Sequence, residues 1–86
     1  MPKAKIEVKV KLFAVYQEVF DASEIDLMLP ASAQVSDVLA SLIEQKPQLA
    51  KWQKVTRFGV NLKFVQADTF LQEGDEVVLI PPVSGG

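Results

Sequence analysis

The stretch of this sequence whose residue types suggest chemistry is its last six residues, Pro81-Pro82-Val83-Ser84-Gly85-Gly86. Prolines have no amide hydrogen to donate and fix φ near about −65°, so they end strand pairing and project the following residues outward. Gly85 and Gly86 have no β-carbon, so the tip is thin enough to enter a narrow tunnel in another protein. We expect the reacting group to be the α-carboxylate of Gly86.

The chain has no cysteine and no histidine. This excludes disulfides, thiolate metal sites and a thiol nucleophile, and it removes the commonest general base. A carboxylate becomes a good acyl donor only after it is joined to a better leaving group, such as the AMP that ATP supplies. We therefore expect no metal and no tightly bound cofactor, and we expect a partner protein to use the ATP. Terminal glycines are also typical of frayed chain ends, so composition alone leaves that alternative open.

The composition sets the class of protein. Eighty-six residues suffice for one domain, and 49% hydrophobic residues suffice for one packed core. The net charge of −2 does not favour nucleic acid or an anionic membrane as a partner. The N-terminal MPKAKIEVKV alternates charged and apolar residues, unlike a signal peptide or a membrane segment. We expect a soluble cytoplasmic protein.

The periodicity of the apolar residues predicts the elements that carry the tail. A period of two indicates strands, and a stripe at three and four residues with Pro47 just beyond it indicates a helix ending near Lys46. The predicted elements are a strand Lys5–Phe13, a helical turn or wide connection Ala14–Phe20, a strand Glu24–Leu29, a helix from Val35, a possible helical turn within Leu49–Thr56, short strands at Phe58–Asn61 and Lys63–Val65, a turn at Gly74, and a strand Glu76–Ile80.

This order predicts an α+β fold of the β-grasp (ubiquitin-like) type, with one main helix across a mixed sheet and the last strand beside the first. We expect a folded domain over residues 1–82 and an extended tail over 83–86. Tyr16 and Phe20 would form a contact patch if they are exposed, and part of the core otherwise. Trp52 is expected to be a partly buried anchor. The acidic residues Glu73, Asp75 and Glu76 are expected to be solvated turn charges.

Three segments of the chain resemble the MoaD-type sulfur-carrier small subunit of molybdopterin synthase, within the MoaD/ThiS ubiquitin-like group. These segments are Leu12-Phe13-Ala14, Val60-Asn61, and GDEVVLIPPVSGG over residues 74–86. Where that family usually has an Arg-Glu pair followed by a glycine, this chain has Gln17, Glu18 and Asp21. The terminal PPVSGG is the most specific part of the resemblance.

The resemblance implies a cycle of partners. An E1-like adenylyltransferase would join Gly86 to AMP, a sulfurtransferase donor would convert it to a thiocarboxylate, and the tail would deliver sulfur to a pterin precursor in the large synthase subunit. A heterotetramer of small and large subunits is expected, and the molybdenum or tungsten cofactor is the eventual product. The residues implied in docking are Phe64, Ile80, Pro81, Pro82, Val83 and Ser84, with Gly85 and Gly86 as the reacting tip.

Three alternatives remain open at this point. The carrier could serve thiamine thiazole synthesis or tRNA thiolation, it could be a ubiquitin-like protein modifier, or it could be an interaction domain with an idle tail. One of Leu62 and Phe64 is expected to be exposed. Leu79 and Ile80 are expected to face opposite ways.

Overall fold

The computed structural model describes residues 4–82. The predicted tail, Val83–Gly86, therefore lies outside the described residues. The elements are β1 (Lys5–Leu12), α1 (Val15–Phe20), β2 (Glu24–Pro30), α2 (Val35–Gln45), a 3₁₀ helix (Pro47–Trp52), β3 (Arg57–Val60), β4 (Lys63–Val65) and β5 (Glu76–Ile80).

The strands form one mixed sheet in the order β2-β1-β5-β3-β4. β1 pairs antiparallel with β2 and parallel with β5, and β5 pairs antiparallel with β3. The last strand therefore lies at the centre of the sheet beside the first, as the sequence predicts. The alternation of β1 buries Ile6, Val8, Val10 and Leu12 on the inner face of the sheet.

Helix α2 covers the inner face through the apolar stripe that its sequence shows. Val35, Val38, Leu39 and Leu42 are buried, and they join Val77 and Leu79 of β5 in a single core. Asp37 lies in the first turn, where its carboxylate accepts a hydrogen bond of 2.8 Å from the amide of Gln34. Pro47 begins the 3₁₀ helix directly after α2, so the predicted end of the helix is confirmed to within one residue.

Tyr16 is part of this core and not of a surface patch. Its side chain is fully buried and its hydroxyl hydrogen bonds with the Thr56 hydroxyl. Thr56 donates its own proton to the Trp52 carbonyl oxygen at 2.8 Å, so the Tyr16 hydroxyl must be the donor to Thr56. Phe20 and Trp52 are partly buried against the core, which confirms the anchor role expected for Trp52. The network links α1 to the start of β3.

Candidate functional site

The root of the predicted tail is the end of the central strand. Ile80 is the last residue of β5, Pro81 is buried, and Pro82 is exposed. The register places Ile80 opposite Arg57 at the start of β3, and Leu79 beside Leu12 at the end of β1. Because neither proline can extend the ladder, strand pairing ends here. Residues 83–86 are thus attached to the middle of one end of the sheet, where pairing on both sides fixes the strand.

The outer face of the sheet, opposite α2, is divided into a charged half and an apolar half. Lateral pairing aligns Glu24 of β2, Lys11 of β1, Val78 of β5, Gly59 of β3 and Phe64 of β4 in one row across this face. The β2 and β1 positions are charged, and the other three are apolar or glycine. An apolar area therefore adjoins the tail root on one side only.

This apolar area, which we call the outer-face patch, consists of Gly59, Leu62, Phe64, Val78 and Ile80. Together with Lys63 these residues line a shallow depression of about 140 Å³. Phe64 is 77% exposed and Leu62 is 90% exposed, so both are exposed where one was expected. Phe64 also borders a larger cleft of about 660 Å³ that Arg57 lines. The predicted docking residues Phe64 and Ile80 are thus brought together, although they are 16 positions apart in the sequence.

Leu62 is exposed because the connection between β3 and β4 is a tight turn. Asn61 and Leu62 both have positive φ, 50° and 72°, as in the two-residue type I′ hairpin turn. The side chain of Asn61 donates to Asp75 Oδ1 at 3.0 Å and accepts from the Glu76 amide at 3.0 Å. The backbone amide of Asn61 donates to the Glu76 carbonyl oxygen at 2.9 Å. These three bonds tie the turn to the start of β5.

The acidic residues before β5 also have structural partners. Asp75 accepts hydrogen bonds from Asn61 and from the Gln72 amide, and Glu73 Oε1 accepts one from the Glu7 amide at 3.2 Å. Gly74 adopts φ 84°, as predicted for this turn. Over residues 4–82, no group of three or more histidine, cysteine or acidic side chains is placed to hold a metal ion.

The charged half of the outer face contains an ion pair. Lys9 Nζ lies 3.1 Å from Glu24 Oε2, with both side chains about half exposed. The hydrogen bond to Glu24 and the charge of that carboxylate raise the pKa of Lys9 above its ordinary value, and Asp26 and Glu76 add to the effect. Lys11 and Arg57, which border the outer-face patch, form no ion pair within residues 4–82.

The segment after β1 has two backbone irregularities. Ala14 has φ 51° and ψ −121°, and the Tyr16 amide donates to the Phe13 carbonyl oxygen at 3.1 Å. This is a type II′ turn with Ala14 at the position that strongly favours glycine. Asp21, at the position of the family's glycine, is left-handed with φ 53°. Sequence reasoning did not single out Gly59 or Val78, and it used Ala14 only as part of the Leu12-Phe13-Ala14 resemblance. Alternation along β5 was a signal for Val78, since it places Val78 on the same face as Ile80.

The sheet order and the single long helix define a ubiquitin-like β-grasp protein. The model of the ThiS family matches residues 10–86, and the chain belongs to that family. It is 37% identical over 83 residues to the molybdopterin synthase sulfur carrier subunit of Chlamydomonas reinhardtii, covering 94% of this chain and 100% of the relative. It is 32% identical over 81 residues to the subunit of the same name from Dictyostelium discoideum, covering 91% and 94%.

Among solved structures, small archaeal modifier protein 1 from Methanosarcina acetivorans superposes with a TM-score of 0.75 at 31% identity, covering 95% of this chain and 98% of that one. The family match and the similarity to the sulfur carrier subunit of Chlamydomonas reinhardtii support a sulfur-carrier role of the MoaD type. Among the helices of residues 4–82, none combines the length and the apolar character that a membrane crossing requires.

Proposed function

We propose that this chain carries sulfur as a thiocarboxylate on Gly86 and delivers it to a pterin precursor held by a molybdopterin synthase large subunit. The observation that carries the proposal is the tail root. A central strand paired on both sides ends at Pro81-Pro82 beside an exposed apolar patch, in a chain related to molybdopterin synthase sulfur carrier subunits. The tail would be the working part, and the rigid sheet would hold it.

The chemistry requires a partner, because no cysteine or histidine is available in this chain. The Gly86 carboxylate would attack the α-phosphate of ATP, forming an acyl-adenylate and releasing pyrophosphate. A sulfide-equivalent nucleophile would then attack the acyl carbon, and the C–O bond to AMP would break. The products are the thiocarboxylate, AMP and a proton. An E1-like adenylyltransferase would catalyse the first step. If a sulfurtransferase supplies the sulfur as a persulfide, its terminal sulfur would displace AMP to give an acyl disulfide, and a second thiol of the donor would then attack the donor's own sulfur, forming a disulfide and releasing the thiocarboxylate.

The docking surface would combine the outer-face patch with the tail. Phe64 and Ile80 would contact the large subunit or the activating enzyme, while Pro82, Val83 and Ser84 would line the entrance to the partner's cleft. Pro81 is buried in the described structure, so its part is to fix the direction of the chain at Pro82. A heterotetramer of two small and two large subunits remains the expected assembly.

A second candidate function is protein modification, which the likeness to a small archaeal modifier protein favours. In that case a lysine amine of a target protein would attack the same acyl-adenylate or a thioester, and an isopeptide bond to Gly86 would form. Carriers for thiamine thiazole or tRNA thiolation would share the first two steps of the main proposal. The candidates therefore differ in the group that is transferred: sulfur passes to a small molecule or to tRNA in a carrier, whereas the acyl group passes to a lysine, with AMP or the thiol leaving, in a protein modifier.

The test is intact-mass spectrometry of the purified chain after incubation with its adenylyltransferase, ATP and sulfide. The main proposal expects a mass increase equal to the exchange of one oxygen for one sulfur, located on Gly86 by fragmentation. The large subunit and a pterin precursor should then return the mass to its original value. A matched control lacking Gly86 should gain nothing. No mass increase in the intact chain would overturn the proposal, and target adducts that form without sulfide would favour protein modification.

A further inference from the structure

Leu62 combines two features that are unfavourable in a folded chain. It is a branched apolar residue at φ 72°, a conformation that favours glycine or asparagine, and its side chain is 90% exposed. A glycine at this turn position would remove both the backbone strain and the exposed apolar surface. Strain of this kind persists where the surrounding structure imposes it, and it clusters at binding sites.

The turn that presents Leu62 is held in place. Asn61 tolerates positive φ and bonds to both Asp75 and Glu76 through its side chain. β4 then returns antiparallel to β3, with Gly59 opposite Phe64. Leu62 is therefore presented at a fixed position at the edge of the outer-face patch.

The depression beside Leu62 is left open by the choice of residue at its floor. A β-carbon at Gly59 would lie 3.5 Å from the Lys63 carbonyl oxygen and 3.6 Å from Val78 Cβ, which are ordinary contact distances. Gly59 has no positive φ, so neither sterics nor backbone geometry requires glycine there. The absent side chain leaves space between Leu62, Phe64 and Ile80 for an apolar group from another molecule.

The charges around the patch select the kind of molecule that fits. Lys11 is beside Val78 and Arg57 is opposite Ile80, so two cations without ion pairs within residues 4–82 border the patch. A second copy of the chain, packed through the same surface, would gather the unpaired cations of both copies into one interface, which like-charge repulsion disfavours. A protein surface with an apolar side chain framed by carboxylates would be complementary instead.

The tail sets the position of that surface. Gly86 is the fourth residue after Pro82, and an extended chain of four residues spans at most about 14 Å. A protein that reacts with Gly86 must therefore approach within that distance of the end of β5. Ile80 of the patch lies two residues before Pro82, so the same protein would cover the patch.

We propose that Leu62 is a specificity-determining anchor, with which this carrier recognises a tail-accepting protein whose docking surface presents an apolar side chain framed by carboxylates. The inference rests on the proposed function, because the partner is the enzyme that accepts Gly86. Leu62 contributes to recognition of that enzyme and takes no part in the acyl chemistry.

The test compares Leu62→Gly and Leu62→Asn with the unmodified chain, using the adenylyltransferase as the binding partner. Both substitutions remove the apolar side chain and suit the left-handed turn, so the fold is kept. We expect the Kd, and the KM for the carrier, to rise at least about tenfold, as for the loss of an apolar hot-spot side chain. The kcat at saturating carrier should be unchanged, and the Tm should be equal or higher.

Met28→Thr is the matched control. Met28 is 56% exposed on β2, the edge strand of the same face, and the Kd of this variant should match that of the unmodified chain.

Unchanged affinity of both Leu62 variants for an enzyme that adenylates the unmodified chain would overturn this inference and leave the proposed function intact. Conversely, Leu62-dependent binding without any adenylation would refute the proposed function, and with it the identity of the partner as a tail-accepting enzyme, while Leu62 would still be shown to be a binding residue. The Kd for the adenylyltransferase should also rise with salt concentration, because Lys11 and Arg57 would attract its carboxylates. This salt dependence should be weaker in Lys11→Gln and in Arg57→Gln. A Kd that does not depend on salt would refute the proposal that carboxylates surround the apolar side chain of the partner. A dimer in sedimentation that Leu62→Gly disperses would identify a second copy as the occupant and overturn the proposal.

Discussion

Replacing Ala14 with glycine should stabilise this protein, although glycine usually destabilises a folded chain. Ala14 occupies the first central position of a type II′ turn, with φ 51° and ψ −121°. Its side chain is exposed, so removing the methyl group costs no core packing. The substitution therefore isolates the backbone energy of one residue at the end of the sheet from which the tail leaves.

The magnitude follows from two opposing terms. A residue held in a sparsely populated backbone region costs about 1–3 kcal/mol, which glycine would largely recover. Glycine also gives the unfolded chain more freedom, which costs about 0.4–1 kcal/mol. The net gain should lie between about 0 and 2.6 kcal/mol, with a midpoint of about 1.3 kcal/mol. Each 1 kcal/mol raises the Tm of a domain of this size by about 4–8 °C.

The assay is urea and thermal unfolding followed by circular dichroism, with Ala40→Gly as the matched control. Ala40 is also exposed, but it lies inside α2, where glycine costs about 1 kcal/mol relative to alanine. The same alanine-to-glycine change should therefore raise the free energy of unfolding at position 14 and lower it at position 40. A loss of stability in Ala14→Gly as large as that in Ala40→Gly would refute the argument that this turn is strained.

Three further predictions concern the polar network, the β3–β4 turn and the tail. Tyr16→Phe should lower the free energy of unfolding by about 1 kcal/mol, because it removes the donor to Thr56, while Thr56→Ser, which keeps the hydroxyl, should cost less in the same denaturation assay. Burial raises the pKa of Tyr16, so the unfolded state loses this proton first and the free energy of unfolding should fall above about pH 10. If the stability of Tyr16→Phe falls equally over the same pH range, another group is responsible. Asn61→Ala should cost about 0.5–1.5 kcal/mol in urea unfolding, because it removes the hydrogen bond to the Glu76 amide. Asn61→Asp keeps that acceptor but turns a second carboxylate toward Asp75 in place of the donor, so at pH 7 it should cost at least as much. Gly86→Ala should leave the Tm unchanged and abolish or strongly slow sulfur transfer in the mass assay, and full activity would show that a thin tip is not required.

Most of the strand and helix assignments were accessible from the sequence because they depend on local periodicity. The alternation in β1 requires one buried face whatever the neighbouring strand is, and the stripe of α2 requires a surface to cover. Gly74 predicted a turn because positive φ costs glycine nothing. Tyr16 could not be assigned in this way, since its burial depends on Thr56, forty residues further along the chain.

The sequence by itself determined the alternating and helical patterns of this domain, the absence of side-chain thiols and imidazoles, and the chemical character of a tail that ends in Gly85-Gly86. The tertiary structure alone decided that Phe64, Gly59 and Val78 lie in one row, and that Leu62 faces solvent beside them. The physical reason is that periodicity is a property of neighbouring residues. A patch across three strands depends instead on their pairing register and on the φ angles of the turn that joins two of them.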